Sequence, residues 1–214
     1  MSAELSGTGL VADDLYLMAH HEINGKPFVQ PRVLGTGLAG GLLAELMLLG
    51  SIVLQEDGAV VPGRIVPRNG MAYQVLNQIA DEHGAHPVQE WLLFLARTAT
   101  EDVARRLERS GYVTRTGSRG RWRPGRWVPV DADCAFSPLL RVRSALDPAR
   151  PLEARETVLA GLAVACGLGF RLEQYLPPPG RSLDEALSQL DPGLRELIAQ
   201  TQAAIGSAVL AHRA

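Results

Sequence analysis

The stretch GTGLAGGLLAELMLLG, residues 35–50, decides how this chain folds. Its leucines recur at the three- and four-residue spacing of an α-helix, and the glycine that closes it is a common helix stop. We therefore predict a buried central helix over residues 38–49, ended by Gly50. The longest apolar run, residues 34–54, contains five glycines, a glutamate and a serine, so it is too interrupted for a bilayer span of about 20 apolar residues. We expect no transmembrane segment.

Helical patterns occupy most of the remaining chain. Further helices are predicted over residues 11–22, 71–83, 87–97, 98–110 (opened by a Thr98/Glu101 capping box), 137–146, 151–166, 184–190 and 192–212. The turn dipeptide Asp57-Gly58 predicts a small hairpin over residues 51–61, and a second hairpin is predicted over residues 112–130. Strands and helices do not alternate, which excludes a parallel α/β sheet. We predict a mainly α fold, one helical domain over residues 1–214 around the central helix, with two small β-hairpins.

The composition is that of an ordinary globular protein. Of the 214 residues, 46% are hydrophobic and 21% are charged, which excludes wholesale disorder, and the net charge is −2. The two cysteines, Cys134 and Cys166, are far apart and form no CxxC pair, so neither a disulfide framework nor a zinc site is indicated. Residues 1–9 lack the basic and apolar regions of a secretory signal. We expect a cytoplasmic protein.

A glycine pattern offers a nucleotide-binding alternative. The stretch from Gly35 to Gly40 matches GxGxxG, and Glu56 follows at about the distance of a ribose-binding acid. That motif requires a strand before it, and too few residues separate Pro31 from the first glycine to form one. Glycines that allow close helix packing are the favoured interpretation. A nucleotide-binding enzyme at residues 35–41 is kept as the weaker hypothesis.

No catalytic arrangement is visible in the sequence. It contains no GxSxG, HExxH or Walker motif. The adjacent acids Asp13 and Asp14 diverge on a helix and suit its positive N-terminal end. His83 and His86 do not share a rigid helix face with a third metal ligand, so we expect the histidines at the surface or at helix caps. We predict that the protein is not an enzyme and binds neither a cofactor nor a metal.

Residues 111–130 are the most basic part of the chain, with five arginines and no acidic residue. Trp122 and Trp127 lie among these arginines. Indole rings favour the headgroup zone of a membrane, and each arginine adds about 1 kcal/mol of attraction to an anionic leaflet. The alternative is a solvated loop whose tryptophans cover the core. We predict a membrane-contact hairpin that consists of Arg119, Arg121, Trp122, Arg123, Arg126 and Trp127.

The same region also fits a winged-helix DNA-binding protein. Two predicted helices precede the basic hairpin, and three arginines of the second helix could contact phosphates or bases: Arg105, Arg106 and Arg109. Against this, Glu101 and Asp102 each stand four residues before one of these arginines and can pair with Arg105 and Arg106 along the helix. We do not expect nucleic acid to be the partner.

Four segments carry a family resemblance. They are an acidic opening helix, the glycine-rich central motif, a helix that ends in glycine before the basic hairpin, and a late core helix: residues 10–17, 37–52, 103–113 and 151–165. In these segments the chain resembles the Golgi phosphoprotein 3 family. The resemblance implies a mainly helical, non-catalytic domain that binds phosphatidylinositol 4-phosphate in a basic pocket and inserts a hairpin into the membrane. For eukaryotic members it also implies binding to the cytosolic tails of Golgi glycosyltransferases.

The family's lipid pocket carries over in part. Of its two arginines spaced three apart, the first falls on Arg97 and the second on Thr100. The arginine of the central motif is replaced by Ala39, and the pocket tryptophan has no counterpart at residues 29–30. The resemblance therefore implies an anionic headgroup, a phosphoinositide in the family, bound by Arg97 and Arg32, without fixing which headgroup.

Arginine is used almost to the exclusion of lysine, with Lys26 as the single lysine, which is typical of a high-GC bacterial gene. A bacterium has no Golgi, so the sorting role would not transfer. We predict a cytoplasmic protein that associates peripherally with membranes through anionic lipid headgroups. Any protein partner is left open.

Overall fold

The described part of the chain contains ten α-helices and five short β-strands. This computed structural model describes residues 8–116, 125–175 and 180–210. The helices are α1 (Val11–Met18), α2 (Pro31–Leu49), α3 (Gly70–Asp81), α4 (Val88–Leu95), α5 (Ala99–Arg109), α6 (Ala132–Ala145), α7 (Ala154–Ala165), α8 (Gly169–Tyr175), α9 (Leu183–Ser188) and α10 (Pro192–Leu210). The strands are β1 (Ile52–Leu54), β2 (Ala59–Pro62), β3 (His86–Pro87), β4 (Val113–Arg115) and β5 (Trp127–Pro129). The predicted mainly α fold is confirmed.

Helix α2 is the centre of the fold. It begins at Pro31 rather than at residue 38, because proline is accepted in the first turn of a helix and the glycines continue it. Residues 33–46 are all buried, and α1, α4, α5, α7 and α10 pack around them. At the C-terminal end Gly50 has a left-handed φ of 73°, and the Ser51 amide donates to the Leu46 carbonyl. The prediction of a buried central helix that stops at Gly50 is confirmed.

The glycines of α2 are points of close helix packing. A Cβ atom at Gly37 would lie 2.2 Å from Cys166 Sγ, and one at Gly41 would lie 2.9 Å from the Ala12 Cα atom in α1. The whole GxGxxG stretch is helical, and no strand leads into it from residues 8–34. The close-packing interpretation is therefore confirmed, and the hypothesis of a nucleotide-binding loop at residues 35–41 is wrong.

Among the described residues, α2 is the one helix long and apolar enough to cross a bilayer. Most of its apolar stretch, 78%, is buried inside the protein. Its neighbours α1, α4, α5, α7 and α10 cover this surface. The arrangement is that of a core helix.

Two small antiparallel sheets are present in the described residues. β1 and β2 form the first predicted hairpin, with a left-handed Gly58 in the turn. β3 pairs with β2 and makes this a three-stranded sheet, which was not predicted because a strand of two residues shows no alternation. β4 and β5 form the second predicted hairpin, with Thr114 opposite Val128. Their connection, residues 117–124, lies outside the described residues.

Several helix boundaries differ from the predicted ones. Thr98 precedes α5, but its side chain accepts no capping hydrogen bond, so the predicted capping box with Glu101 is wrong. α6 begins earlier than predicted, at Ala132, because Asp131 accepts a hydrogen bond from the Cys134 amide at 2.7 Å. α8 forms between residues 166 and 184, where no helix was predicted. The boundaries depend on which side chains reach the free amides at the helix ends.

Candidate functional site

A buried ionic cluster joins α1, α2 and α5. Arg106 Nε donates to Asp13 Oδ1 at 2.7 Å, and its Nη atoms donate to the two oxygens of Glu45 at 3.1 and 3.2 Å. Glu45 also accepts from the backbone amide of Ala12 at 2.9 Å. The three charged side chains are at most 7% exposed. Each buried charge therefore has a charged partner, as buried ions require.

Asp14 belongs to a second ionic network. It pairs with Arg141 of α6, which also donates to Ser137 at 2.9 Å and lies 3.9 Å from Glu156 of α7. Asp13 and Asp14 do diverge, but they bind arginines of other helices instead of standing free at a helix end. The acidic pair thereby fastens α1 to the helices around it.

Arg106 is buried in the first cluster and is therefore not available at the surface. The predicted pair of Asp102 with Arg106 is wrong, since Arg106 binds Asp13 and Glu45 instead. Glu101 pairs with Arg105 at 2.5 Å as predicted. Of the three arginines that the winged-helix hypothesis requires, only two remain exposed: Arg105 and Arg109. The structure therefore weakens that hypothesis.

Burial changes the protonation of the Arg106 cluster. Desolvation raises the pKa of Asp13 to about 7, although the charge of Arg106 opposes the shift. Desolvation also raises the pKa of Glu45. Because two carboxylates share one guanidinium, a proton bound to either of them removes the excess negative charge. The folded protein should therefore hold a proton that the unfolded chain releases.

Asp13 should make the free energy of unfolding fall as the pH rises. A carboxyl group with a higher pKa in the folded state stabilises the fold fully below about pH 4, and this contribution is lost as the pH rises through about 7. Urea unfolding between about pH 5 and 8 should show this contribution as a difference in slope between the wild type and Asp13→Asn, because buried His20, whose pKa is lowered, adds the same opposite slope to both proteins. The control Asp81→Asn, at an exposed position of α3, should keep the slope. Identical slopes in Asp13→Asn and the wild type would contradict the raised pKa.

The described histidines take no part in a metal site. No group of three or more possible metal ligands lies together in the part of the chain that the structure describes. His86 lies at the surface as expected, 2.9 Å from Glu90 and 4.0 Å from Glu82. His20 does not: it is buried, its Nδ1 lies 2.7 Å from the Tyr16 carbonyl oxygen, and burial lowers its pKa to about 4. The expectation of a surface position is therefore wrong for His20, whereas the expectation of a capping position is confirmed, because its ring nitrogen reaches a carbonyl oxygen in the last turn of α1.

The two predicted headgroup residues lie near one crossing of helices. Arg32 is in the first turn of α2, Arg97 is in the link between α4 and α5, and both are exposed. A Cβ atom at Gly35 would lie 2.7 Å from the Ala96 carbonyl oxygen, so the start of α2 touches this link. Ala39, which stands where the family has an arginine, is completely buried.

The second hairpin packs one of its tryptophans against α5. Trp127 is half-buried, and its Nε1 donates to Glu108 Oε2 at 3.2 Å. The guanidinium of Arg115 lies over its ring, 5.1 Å from the centroid. Arg126 is exposed. The remaining predicted contact residues lie outside the described residues: Arg119, Arg121, Trp122 and Arg123.

A loop whose packing the sequence did not predict lies against this hairpin. Residues 20–28 fold back on themselves, and Gly25 is buried beneath β5, where a Cβ atom would lie 2.1 Å from the Trp127 carbonyl oxygen. Ile23 at the turn is 78% exposed. The dipeptide Asn24-Gly25 predicts a turn but not its partner. We call the exposed surface formed by loop and hairpin the basic edge; it consists of Ile23, Lys26, Arg115 and Arg126.

Two clefts open beside α3. One, of about 400 Å³, lies between α3 and α4 and is lined by acidic and aromatic side chains, among them Glu82, Glu90 and Phe94. The other, of about 280 Å³, lies between α3 and α5 and is lined mainly by polar side chains, among them two arginines and two glutamines. The sequence predicted neither, because each is assembled from separate helices.

Fold and surface define a class of protein: a mainly helical structure around a buried glycine-rich helix, with a basic hairpin on its surface. A family model described as Golgi phosphoprotein 3 (GPP34) matches residues 11–211, and the chain belongs to this family. A search of the curated proteins gave no match. The family resemblance inferred from the four sequence segments is confirmed.

Proposed function

We propose that this chain is a non-enzymatic peripheral membrane protein that binds anionic lipid headgroups, phosphoinositides among them, at the cytoplasmic face of a membrane. Its membership of the Golgi phosphoprotein 3 family supports the proposal. The observation that carries it is the basic edge: the loop with exposed Ile23 and Lys26 packs through Gly25 on Trp127, whose strand neighbours, Arg115 and Arg126, are exposed. An aliphatic side chain can enter the headgroup boundary while neighbouring cations attract anionic lipid.

Other residues extend the proposed contact. Arg32 and Arg97 are proposed headgroup ligands because both are exposed cations near one helix crossing. Trp127 is held between Glu108 and Arg115, so it supports the hairpin and positions Arg115 instead of entering the membrane. The hairpin residues between β4 and β5 are proposed to strengthen the attraction: Arg119, Arg121, Trp122 and Arg123.

Vesicle co-sedimentation tests the proposal. We expect binding to phosphatidylcholine vesicles that contain phosphatidylglycerol or a phosphoinositide, and no binding to phosphatidylcholine alone. Arg126→Glu should weaken binding at least about tenfold, because it reverses one charge and each cation contributes about 1 kcal/mol. Salt should release the wild-type protein, since exposed charges are screened over about 10 Å at 0.1 M.

Arg195→Glu is the matched control. Arg195 is exposed on α10, and a Cβ atom two residues earlier, at Gly193, would lie 3.0 Å from Met47, near the end of α2 opposite to Arg32. The same charge reversal there should leave vesicle binding almost unchanged. Binding that ignores lipid charge, or equal weakening by both variants, would show that the basic edge is not the contact surface.

A further inference from the structure

The cleft between α3 and α5 has the lining of a small-molecule binding site. Both helices pack on α2, and the gap that remains between them measures about 280 Å³. Its floor is apolar, and the side chains that form it are buried: Leu42, Val75 and Leu95. Such a floor suits the carbon skeleton of a small molecule.

Polar side chains line the two walls of this cleft. Gln74 and Gln78 stand one turn apart on α3, and Arg105 and Arg109 stand one turn apart on α5. Residues four apart share one face of a helix, so each wall contributes a pair of parallel side chains. Asp102 lines the cleft on the arginine side.

Each of the two arginines uses only some of its N–H donors in the described hydrogen bonds. Arg105 uses Nη2 to bind Glu101 at 2.5 Å, and Arg109 uses Nε to bind the Arg105 carbonyl at 3.2 Å. Within the described residues no carboxylate pairs with Arg109. A guanidinium offers five N–H donors in a fixed fork, so both arginines can still bind an anion.

We propose that this cleft binds a small phosphate ester that carries hydroxyl groups. The guanidinium groups of Arg105 and Arg109 hold the phosphate, as their fork geometry favours. The carboxamides of Gln74 and Gln78 both donate and accept hydrogen bonds, which matches hydroxyl groups. Asp102 accepts from a hydroxyl but repels a bare anion, so the ester is preferred over inorganic phosphate.

This site is separate from the proposed membrane contact. Its lining includes neither Arg32 nor Arg97 and no residue of the basic edge. A ligand of the stated chemistry could be a free sugar phosphate or the headgroup of a glycerophospholipid. The two sources share the phosphate and the hydroxyl groups, and the experiment below separates them.

Titration calorimetry on the full chain tests the site. Glucose 6-phosphate and glycerol 3-phosphate should bind saturably, and glucose and inorganic phosphate at least about tenfold more weakly, because each of the latter satisfies only part of the cleft. Arg109→Gln should weaken the binding of both phosphorylated probes at least about tenfold. The control Arg195→Gln should leave their binding unchanged. The double variant Gln74→Ala/Gln78→Ala should weaken the binding of glucose 6-phosphate and leave the binding of inorganic phosphate unchanged.

Phosphatidylglycerol vesicles identify the source of the ligand. If glycerol 3-phosphate weakens vesicle binding and Arg109→Gln binds the vesicles more weakly than the wild type and Arg195→Gln do, the ligand is a lipid headgroup. If the probe leaves vesicle binding unchanged, the ligand is a free phosphate ester. The proposal is overturned if neither phosphorylated probe binds saturably, or if Arg109→Gln binds both as the wild type does. Either of these results leaves the proposed lipid attachment through the basic edge standing.

Discussion

Replacing Arg106 by alanine should lower the free energy of unfolding by about 3–5 kcal/mol. The change leaves the carboxylates of Asp13 and Glu45 buried without the guanidinium that they share. An uncompensated buried charge destabilises far more than the loss of an exposed pair does. Urea unfolding followed by circular dichroism near neutral pH measures the loss. On acidification the loss should shrink, because a protonated carboxyl group no longer needs a cation.

Arg105→Ala is the matched control, one position earlier on the same helix. Its pair with Glu101 is more than half exposed on both sides, so its removal should cost at most about 1 kcal/mol. If Arg106→Ala does not fold, Arg106→Lys should fold with a smaller loss, since it keeps a charge but not the fork that reaches both carboxylates. Equal losses at positions 105 and 106 would contradict the structural role of the cluster.

Gly41→Ala should destabilise the protein by about 1–3 kcal/mol, although alanine is the better helix former. The new Cβ atom would lie 2.9 Å from the Ala12 Cα and 3.1 Å from the Ala12 nitrogen. These are backbone atoms, so α1 and α2 must move apart, and the shift disturbs the neighbouring contacts of Asp13. Thermal unfolding should show a lowered midpoint.

Gly206→Ala is the same substitution at a position without this restraint. Gly206 is exposed in α10, and a Cβ atom there meets nothing within 4 Å. The alanine should therefore stabilise the protein by about 0.5–1 kcal/mol, through helix propensity alone. Opposite signs at the two positions are the expected result, whereas stabilisation at both would show that the α1 and α2 contact is not tight.

Local patterns in the sequence were sufficient to predict the centre of the fold. Leucine spacing over residues 38–49 and the glycine after them predict a helix that is apolar on several sides, which is what a buried helix requires. Asp57-Gly58 predicts the first hairpin for an equally local reason. β3 was not predicted because it consists of two residues that are a strand only through their pairing with β2, which lies in another part of the chain.

The charged contacts escaped prediction because their partners are distant in sequence. Asp13 and Arg106 are 93 residues apart, whereas spacing rules for helix pairs reach only three or four residues and assign Arg106 to Asp102. The packing of Gly25 against the Trp127 carbonyl was not predicted either, because these two residues are also distant in sequence. The basic hairpin was found because its arginines are clustered locally, and that cluster led to the surface proposed for lipid binding.

Helix α1 can form its ion pairs only late in synthesis. The partners of Asp13 and Asp14, Arg106 and Arg141, follow them by 93 and 127 residues. At about 5–20 residues per second, a ribosome needs several seconds to deliver both arginines. During that time the two acids of α1 lack their arginine partners. The core around α2 is completed only after α10 has been made, because α7 and α10 both pack on it, so the surfaces that these helices cover stay open to chaperones until then.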